Sequence, residues 1–376
     1  MAHFFKTDSG KWQIQVSLGK DPKTGKYIRK SKNFKTKKEA NDWLARITNE
    51  MNMGINFDSQ GLNLKKYLLQ WLKDYAKPNV SPTTYDGYEM IVKRHLIPSL
   101  GYIMLNNLKP IHIQSYQNEK LKRGSVYENK PLSPTTVLQH HRILSKALKQ
   151  AVQWQLIKYN PCTAIPAPRK ADTEIKTLTT NELKYIIENA SGKMKDIITL
   201  AAYTGMRRSE ITGLKWEDVD FINKSLYIRR SLVRTKNGHI FKKTKNKSSK
   251  RRIAITNSLI IMLKKIKKEQ TENKLFLGSE YKDQSLVFCF SDGRHIRPVY
   301  ITHRFKRLVR KLNLNQYSFH DLRHTHATLL LKEGHHPKKV QERLGHASIS
   351  TTLDIYSHVT EDMQRETAEL FDKIMD

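Results

Sequence analysis

The sequence predicts a multidomain α+β protein: a small N-terminal three-stranded sheet plus helix, then a helical bundle, then a larger mixed α/β domain. Three observations predict it. Apolar and polar residues alternate in short runs as far as Phe34, recur at helical spacing from Asn63 to Trp154, and mix both periods after Thr180. Two stretches, residues 51–62 and 164–176, hold neither period; the first contains Gly54 and Gly61, the second Pro166, Pro168 and Arg169-Lys170. The chain's 376 residues are enough for two or three domains with cores of their own. The expected domains are residues 1–54, 62–163 and 174–376.

In the first unit, His3-Phe4-Phe5 and Trp12-Gln13-Ile14-Gln15-Val16 alternate as strands, with turns at Asp8-Ser9-Gly10 and at residues 21–26. A third strand, residues 27–34, carries Arg29, Lys30 and Lys32. The helix that follows has Thr36 as N-cap, Glu39 at the capping-box position, and an apolar face of Ala40, Trp43, Leu44 and Ile47. A sheet backed by one helix with a basic outer face suits a DNA groove. A solvated sheet surface is the plainer alternative.

The second unit opens on a stripe of Leu64, Tyr67, Leu68, Trp71 and Leu72. Ser81-Pro82-Thr83-Thr84 caps a helix through Tyr88, Ile91 and Val92 to His95, and Pro110 starts another with Ile111, Ile113 and Tyr116. Ser133-Pro134-Thr135-Thr136 caps the longest, through Val137, Ile143, Leu144, Leu148, Val152 and Trp154, ended by Asn160-Pro161. Lys93, Arg94, Arg142, Lys146 and Lys149 point outward from these helices and fit either a DNA clamp or an ordinary solvated bundle.

In the third unit, Thr180 caps a helix with Leu183, Ile186 and Ile187, and residues 194–203 form a buried helix. Gly205 then permits a tight turn, Thr204-Gly205-Met206-Arg207-Arg208, that would set Arg207 at a helix start, where phosphates bind. Arg208 is its rival, and Glu210 is the expected partner that orients Arg207. Residues 225–255 read as a basic β region: one alternating strand over 225–233, a hairpin turn at Lys236-Asn237-Gly238, and a run of cations before Ile253-Ala254-Ile255. A helix over 257–266, a charged exposed stretch over 264–273, a buried strand over 286–290, a turn at Ser291-Asp292-Gly293 and a basic amphipathic helix over 301–312 follow.

Residues 320–356 carry the chemistry. Ser318 and Asp321 stand at capping-box spacing, so a helix starts just before His320, with His320 and Arg323 on one face. Gly334 and Pro337 stop it; a second helix runs from Pro337 to Leu344 and ends at Gly345; His346 is next; Ser348, Ser350, Thr351 and Thr352 offer caps for a last short helix carrying Tyr356. The stretch thus supplies a proton shuttle, a planar cationic fork, a second imidazole and a phenol, a set suited to moving a phosphoryl group. By residue type alone, other readings stand beside it. The histidines (320, 324, 326, 335, 336 and 346) fit a polar surface, His320 and His324 a zinc pair, and residues 329–344 a helix-turn-helix.

The order and spacing of H-x-x-R, L-G-H and a tyrosine ten residues after His346 resemble the C-terminal signature of the tyrosine recombinases, the phage integrase family. The Thr204-Gly205-Met206-Arg207 turn and the segment Leu214-Lys215-Trp216-Glu217-Asp218 also resemble that family, and residues 1–54 resemble its arm-type DNA-binding domain. The resemblance implies a core-binding helical domain at 62–163 and a tyrosine recombinase catalytic domain at 174–376. It implies catalytic roles for Arg207, Lys245, His320, Arg323 and His346, with Tyr356 as nucleophile and Glu210 in support. Lys245 follows from the T-K-x-K-S-S-x-R pattern, with Lys243 and Lys247 as alternatives; Asn246 stands where the family more often has threonine. A 3′-phosphotyrosyl exchange of this kind needs neither metal nor ATP, so no cofactor is expected. The resemblance further implies a homo-tetramer on attachment-type core and arm sites, aided by an excisionase and a DNA-bending host factor. It also implies a tail helix over 361–374, with Met363, Leu370, Phe371 and Ile374, that docks on a neighbouring protomer; packing on its own domain is the plainer alternative. Type IB topoisomerases share the constellation without the N-terminal unit. A helix-turn-helix regulator and a zinc-dependent nuclease are rivals that explain fewer of these residues.

Composition agrees with a nucleic-acid partner. Lys and Arg number 68 against 35 Asp and Glu, a formal net charge of +33 spread along the chain. Cys162 and Cys289 make no metal motif and no expected disulfide; Met1 to Lys11 is mixed and polar, unlike a signal peptide, and the longest apolar runs, near Ile197 to Tyr203, are too short to span a bilayer, so a cytoplasmic protein without membrane partners is expected.

Overall fold

A computed structural model describes residues 2–7, 10–20, 27–52, 61–125, 130–170, 175–243, 250–357, 372 and 374–375. The chain divides into two compact units, Met1–Asp172 and Thr173–Asp376.

The first unit contains an antiparallel sheet, β1 (Ala2–Lys6), β2 (Trp12–Lys20) and β3 (Tyr27–Phe34), with β2 central. Period-two alternation puts Ile14 and Val16 inside, against Ile47 of α1 (Lys37–Asn52). The expected capping box is present: the Thr36 hydroxyl accepts from the Glu39 N–H at 3.2 Å, and the Glu39 carboxylate accepts from the Thr36 N–H at 3.3 Å.

The same unit contains the helical bundle. α2 (Leu64–Gln70) widens to π spacing over Trp71–Ala76 and continues as α3 (Lys77–Asn79); α4 (Pro82–Ile91) does likewise over Val92–Leu96 into α5 (Ile97–Leu100). α6 (Pro110–Arg123) and α7 (Pro134–Gln153) complete it. Its core is Tyr67, Trp71, Leu96, Ile113, Leu144 and Leu148 with their neighbours, and the Tyr67 hydroxyl donates to the Ala147 carbonyl. Ile111, expected on the inward stripe of α6, is 61% exposed; the face is carried by Ile113 and Tyr116 instead.

The second unit begins with α8 (Thr180–Asn189), whose cap is Thr179 rather than Thr180. Glu182 lies three residues beyond Thr179, so only that register closes the reciprocal box, at 2.8 and 3.2 Å. α9 (Gly192–Thr204) is buried as expected, and α10 (Arg208–Thr212) follows the Gly205 turn. The strands are β4 (Val219–Asp220), β5 (Ser225–Ile228), β6 (Arg230–Thr235), β7 (Gly238–Lys243) and β8 (Arg251–Ala254). The single strand expected over 225–233 is broken at Arg229. β5 sits between β4 and β8, whereas β6 pairs with β7 in a separate hairpin. The break lies where Arg229 and Arg230 turn to the buried Asp218 carboxylate, at 3.7 and 3.1 Å.

α11 (Asn257–Leu277) runs well past the expected end at Ile266. Polar residues anchor its charged second half: Gln270 accepts from the Trp216 indole at 2.8 Å and donates to the Val287 carbonyl at 2.8 Å, and Lys274 pairs with Asp283 at 2.7 Å. Residues 286–289 are buried as predicted but form no strand ladder; they make single bridges, Lys215 with Leu286 and Cys289 with His295. α12 (Pro298–Lys311) buries Ile301, Phe305 and Val309. α13 (Asp321–Lys332), α14 (Pro337–Leu344) and α15 (Ser350–Ser357) follow, and of the expected tail face only Ile374 is described, 66% exposed. Lys245 and Lys247, the Lys243 side chain, and the tail over 361–371 lie outside the described residues.

Candidate active site

The site is built around two glycines. Gly205 caps α9 with φ 64°, and a Cβ there would run into Leu344 and His326. Gly345 caps α14 with φ 70°. Both use the left-handed region that glycine enters without strain. The first turn delivers Arg207 to the N-cap of α10, where Glu210 binds it twice: the carboxylate accepts from the Arg207 backbone N–H and from its Nη1, each at 2.9 Å.

α13 starts at Asp321, two residues later than a Ser318 cap would place it, so His320 is its N-cap residue. The Asp321 carboxylate accepts from the Ser318 N–H at 2.7 Å, closing half of the anticipated box. One turn into the helix, Arg323 is only 3% exposed. Its Nη1 donates to the Gly205 carbonyl at 2.7 Å and its Nη2 to the Leu344 carbonyl at 2.9 Å.

The C-terminus of α14 is where these parts meet. Its last carbonyls have no partner inside the helix and carry the negative end of its dipole. Here three arginines take them in order: Arg251 Nε donates to Arg343 O at 2.7 Å, Arg323 to Leu344 O at 2.9 Å, and Arg207 Nη2 to Gly345 O at 3.3 Å. Glu210, 4% exposed, lies between Arg207 and Arg251, whose two Nη atoms reach both carboxylate oxygens at 3.2 and 2.9 Å. Burial alone would raise the Glu210 carboxyl, but the Arg251 hydrogen bonds and the charges of Arg251 and Arg207 hold it below the ordinary carboxylate value. Burial, with Arg207 adding repulsion, draws the Arg323 guanidinium down to about 9, still cationic at neutral pH.

His346 follows directly. It is 6% exposed, and its Nδ1 lies 2.9 Å from the Thr352 hydroxyl of α15. Burial first, then Arg323 and Arg207, push its imidazole down to about 3. His326 is buried on the other side of Gly205; Nδ1 meets the Ala202 carbonyl at 2.8 Å and Nε2 accepts from Arg343 Nε at 3.1 Å, an arrangement that requires the neutral Nδ1–H form. Burial and Arg343 lower it to about 4. His320 differs, because its own surface is exposed. The protein around it and the nearby His324 and Arg323 lower it, and solvent damps that effect.

These neutral rings make acid stability testable. An unfolded histidine titrates near 6.5, so between about 4 and 6.5 the unfolded chain binds more protons at His326 and His346 than the folded chain does. Stability is therefore greatest above pH 6.5 and declines below it, by up to ~1.4 kcal/mol per pH unit for each ring. The melting temperature is expected to fall between pH 7.5 and pH 5, and less steeply in His326→Gln; equal slopes in the two proteins would contradict a neutral His326.

A cleft of about 340 Å³ is lined by Arg207, Arg208, Ser209, Thr302, His320 and Arg323, among others. Of the expected site residues, the structure brings together Arg207, Glu210, His320, Arg323 and His346. Arg208 lines the cleft too, but its guanidinium is bound to the Thr302 hydroxyl of α12, away from Glu210. Tyr356 lies on α15, which packs against α13 and α14; its side chain, like Lys245, is outside the described residues. Among the described residues no group of three His, Cys, Asp or Glu side chains gathers as a metal ion would require.

Sequence reasoning missed Arg251, Arg343, His326 and Thr352. Arg251 had two readable signals: it is the arginine that closes the T-K-x-K-S-S-x-R pattern, and in β8 it shares a face with Ile253, which is 1% exposed, whereas Arg252 faces out.

The model of the phage integrase family matches residues 176–363, a phage integrase N-terminal SAM-like domain matches 63–121, and an arm DNA-binding domain matches 5–51. A tyrosine recombinase XerC-like protein of Caldanaerobacter subterraneus subsp. tengcongensis is 32% identical over 95% of this chain and 94% of its own length. The ICEBs1 integrase of Bacillus subtilis is 26% identical over 98% and 99%. Among solved structures, the Tn1549 transposon integrase in complex with a circular intermediate DNA superposes with a TM-score of 0.70 at 22% identity, covering 82% of this chain and 99% of that one. A lambda integrase dimer bound to a COC′ core site gives 0.56 at 18% identity, over 94% and 93%. At these identities the structural likeness speaks to the fold.

Proposed function

The chain belongs to the phage integrase family of tyrosine recombinases, and from that membership we infer how its own residues cut and rejoin DNA at specific sites to integrate and excise a mobile element. Tyr356 attacks the scissile phosphorus in line, forming a 3′-phosphotyrosyl bond and releasing a 5′-hydroxyl. Arg207 and Arg323 hold the charge that develops on the non-bridging oxygens, as forks that a point charge does not replace. His346 donates a third hydrogen bond. With the Thr352 hydroxyl donating to Nδ1, its neutral ring carries the proton on Nε2. Lys245, or Lys243 or Lys247 in its place, protonates the departing 5′-oxygen, and His320 assists the tyrosine's deprotonation or the grip on phosphate. The 5′-hydroxyl of a second strand then attacks the phosphotyrosine and restores a phosphodiester. One ester replaces another, so the exchange proceeds without ATP or metal.

The observation that carries this reading is the shared end of α14, where His346 follows the carbonyls that hold Arg207 and Arg323, the two arginines that line the cleft. The basic strand β3 and the outward cations of the bundle support two further DNA contacts, arm sites for residues 1–54 and core sites for the helical domain. We assign double-stranded DNA as the partner, a homo-tetramer as the working assembly, an excisionase and a DNA-bending factor as helpers, and the bacterial cytoplasm as the location. Among the described residues no helix is long and apolar enough to cross a membrane.

Covalent capture tests the reading. The protein is incubated with fragmented host and element DNA in chelator and denatured, and the DNA still attached to protein is sequenced. Adducts at one recurring site are expected. Cleavage that appears only after metal is added, or none at all despite tight salt-sensitive binding, would overturn it.

A further inference from the structure

Arg251 has no part in the chemistry just described, yet its side chain is 5% exposed and every guanidinium nitrogen is engaged. A fully used, buried guanidinium between the exposed Lys250 and Arg252 calls for a reason. Its two Nη atoms fork onto the two oxygens of Glu210, and its Nε takes the Arg343 carbonyl at the end of α14. Glu210 in turn binds Arg207 through both its main-chain N–H and its Nη1, and Arg207 Nη2 reaches Gly345 O, two residues on from the carbonyl that Arg251 holds. The contacts form a closed ring: Arg251, Glu210, Arg207, the end of α14, and back to Arg251.

We propose that Arg251 is a positioning residue for DNA cleavage: by fixing the plane of the Glu210 carboxylate it fixes the Arg207 guanidinium in the cleft. Arg207 is 35% exposed on its side chain and opens on the cleft, and among the described residues its guanidinium is held only by Glu210 and the Gly345 carbonyl. With Arg251 forked on both oxygens, Glu210 cannot rotate about its last bond without breaking a charged hydrogen bond. Arg207 is then left with one orientation that satisfies Glu210 and Gly345 together. A second tie runs the same way, because Arg343 Nη1 returns to the Ala254 carbonyl of β8 at 3.3 Å. The role rests on the inference above that Arg207 meets the scissile phosphate.

β8 also follows the segment that contains Lys245, so the test must separate two routes. Single-turnover adduct formation is measured on a nicked duplex carrying the captured site, for wild type, Arg251→Gln, Arg251→Lys, Glu210→Gln and the Arg251→Gln/Glu210→Gln double variant. Each is repeated on a substrate with sulfur in place of the bridging 5′-oxygen, whose thiolate leaves without a proton. Arg251→Gln is expected to slow cleavage about 100-fold, the scale of a sub-ångström to ångström misplacement. DNA affinity and its salt slope should be unchanged, and the deficit should persist on the sulfur substrate. The double variant should cleave no more slowly than the slower single, because both act through Arg207. Arg251→Lys keeps the charge, loses the fork and falls between; it carries the same comparison if the Gln variant does not fold. Cleavage at the wild-type rate, additive losses in the double variant, or rescue by the sulfur substrate overturns the proposal, the last by moving Arg251 to the leaving-group side. A wild-type chain that forms no adduct is a different failure, of the cleavage chemistry itself.

Discussion

Replacing Tyr356 by Phe is expected to abolish the covalent protein–DNA adduct while leaving DNA binding intact. The substitution removes one oxygen and keeps the ring, so α15 retains its packing. The loss should reach at least about four orders of magnitude in single-turnover cleavage, as it does where a nucleophile is deleted from a site whose other members remain. Binding should be almost unchanged, because affinity for DNA comes from phosphate contacts spread over a chain of net charge +33, none of which needs the phenol. Gel-shift affinity and adduct yield measured on one DNA separate the two quantities. Persistent adduct in the Phe variant would move the nucleophile elsewhere in the chain.

Arg207→Lys should be the next most damaging, at about 10²–10³-fold in cleavage, the usual cost of deleting one preorganised donor to a developing oxyanion. Lysine keeps the charge but is a single point. It cannot bind Glu210, reach the Gly345 carbonyl and present a donor edge to the cleft at once. Arg208→Lys is the matched control. The Arg208 guanidinium is exposed and bound to Thr302, outside the ring of contacts at Glu210, so cleavage should stay near the wild-type rate. A reversal, with Arg208→Lys the slower of the two variants, would exchange the roles of the two arginines.

Much of this arrangement was legible because it is encoded locally. Gly205 and Gly345 announce left-handed caps, Pro337 announces a helix start, and the Thr36/Glu39 pair announces a capping box; each interaction lies within a few residues and needs no knowledge of the rest of the chain. What was not legible depends on partners distant in sequence. The break at Arg229 reflects the pull of Asp218, and the length of α11 depends on Gln270 meeting Trp216 and Val287. Residues 286–289 looked like a strand because they are apolar and buried; they find loop partners instead of a neighbouring strand. In the site, the ordered arginine, histidine and tyrosine spacings were readable. Arg251 was hidden among the cations around it, and His326 passed for a surface residue although Ala202 and Arg343 hold it inside.

The end of α14 grips its three arginines with main-chain oxygens, so the grip does not depend on which side chains the helix bears. A carbonyl is the same whatever side chain its residue bears. Lys338, Lys339 and Glu342 on the outer face of α14 are exposed and contribute no atom to the grip. Substitutions there can accumulate freely while the cutting machinery stays in place. The catalytic cluster is therefore insulated from the side-chain chemistry of the helix that holds it together.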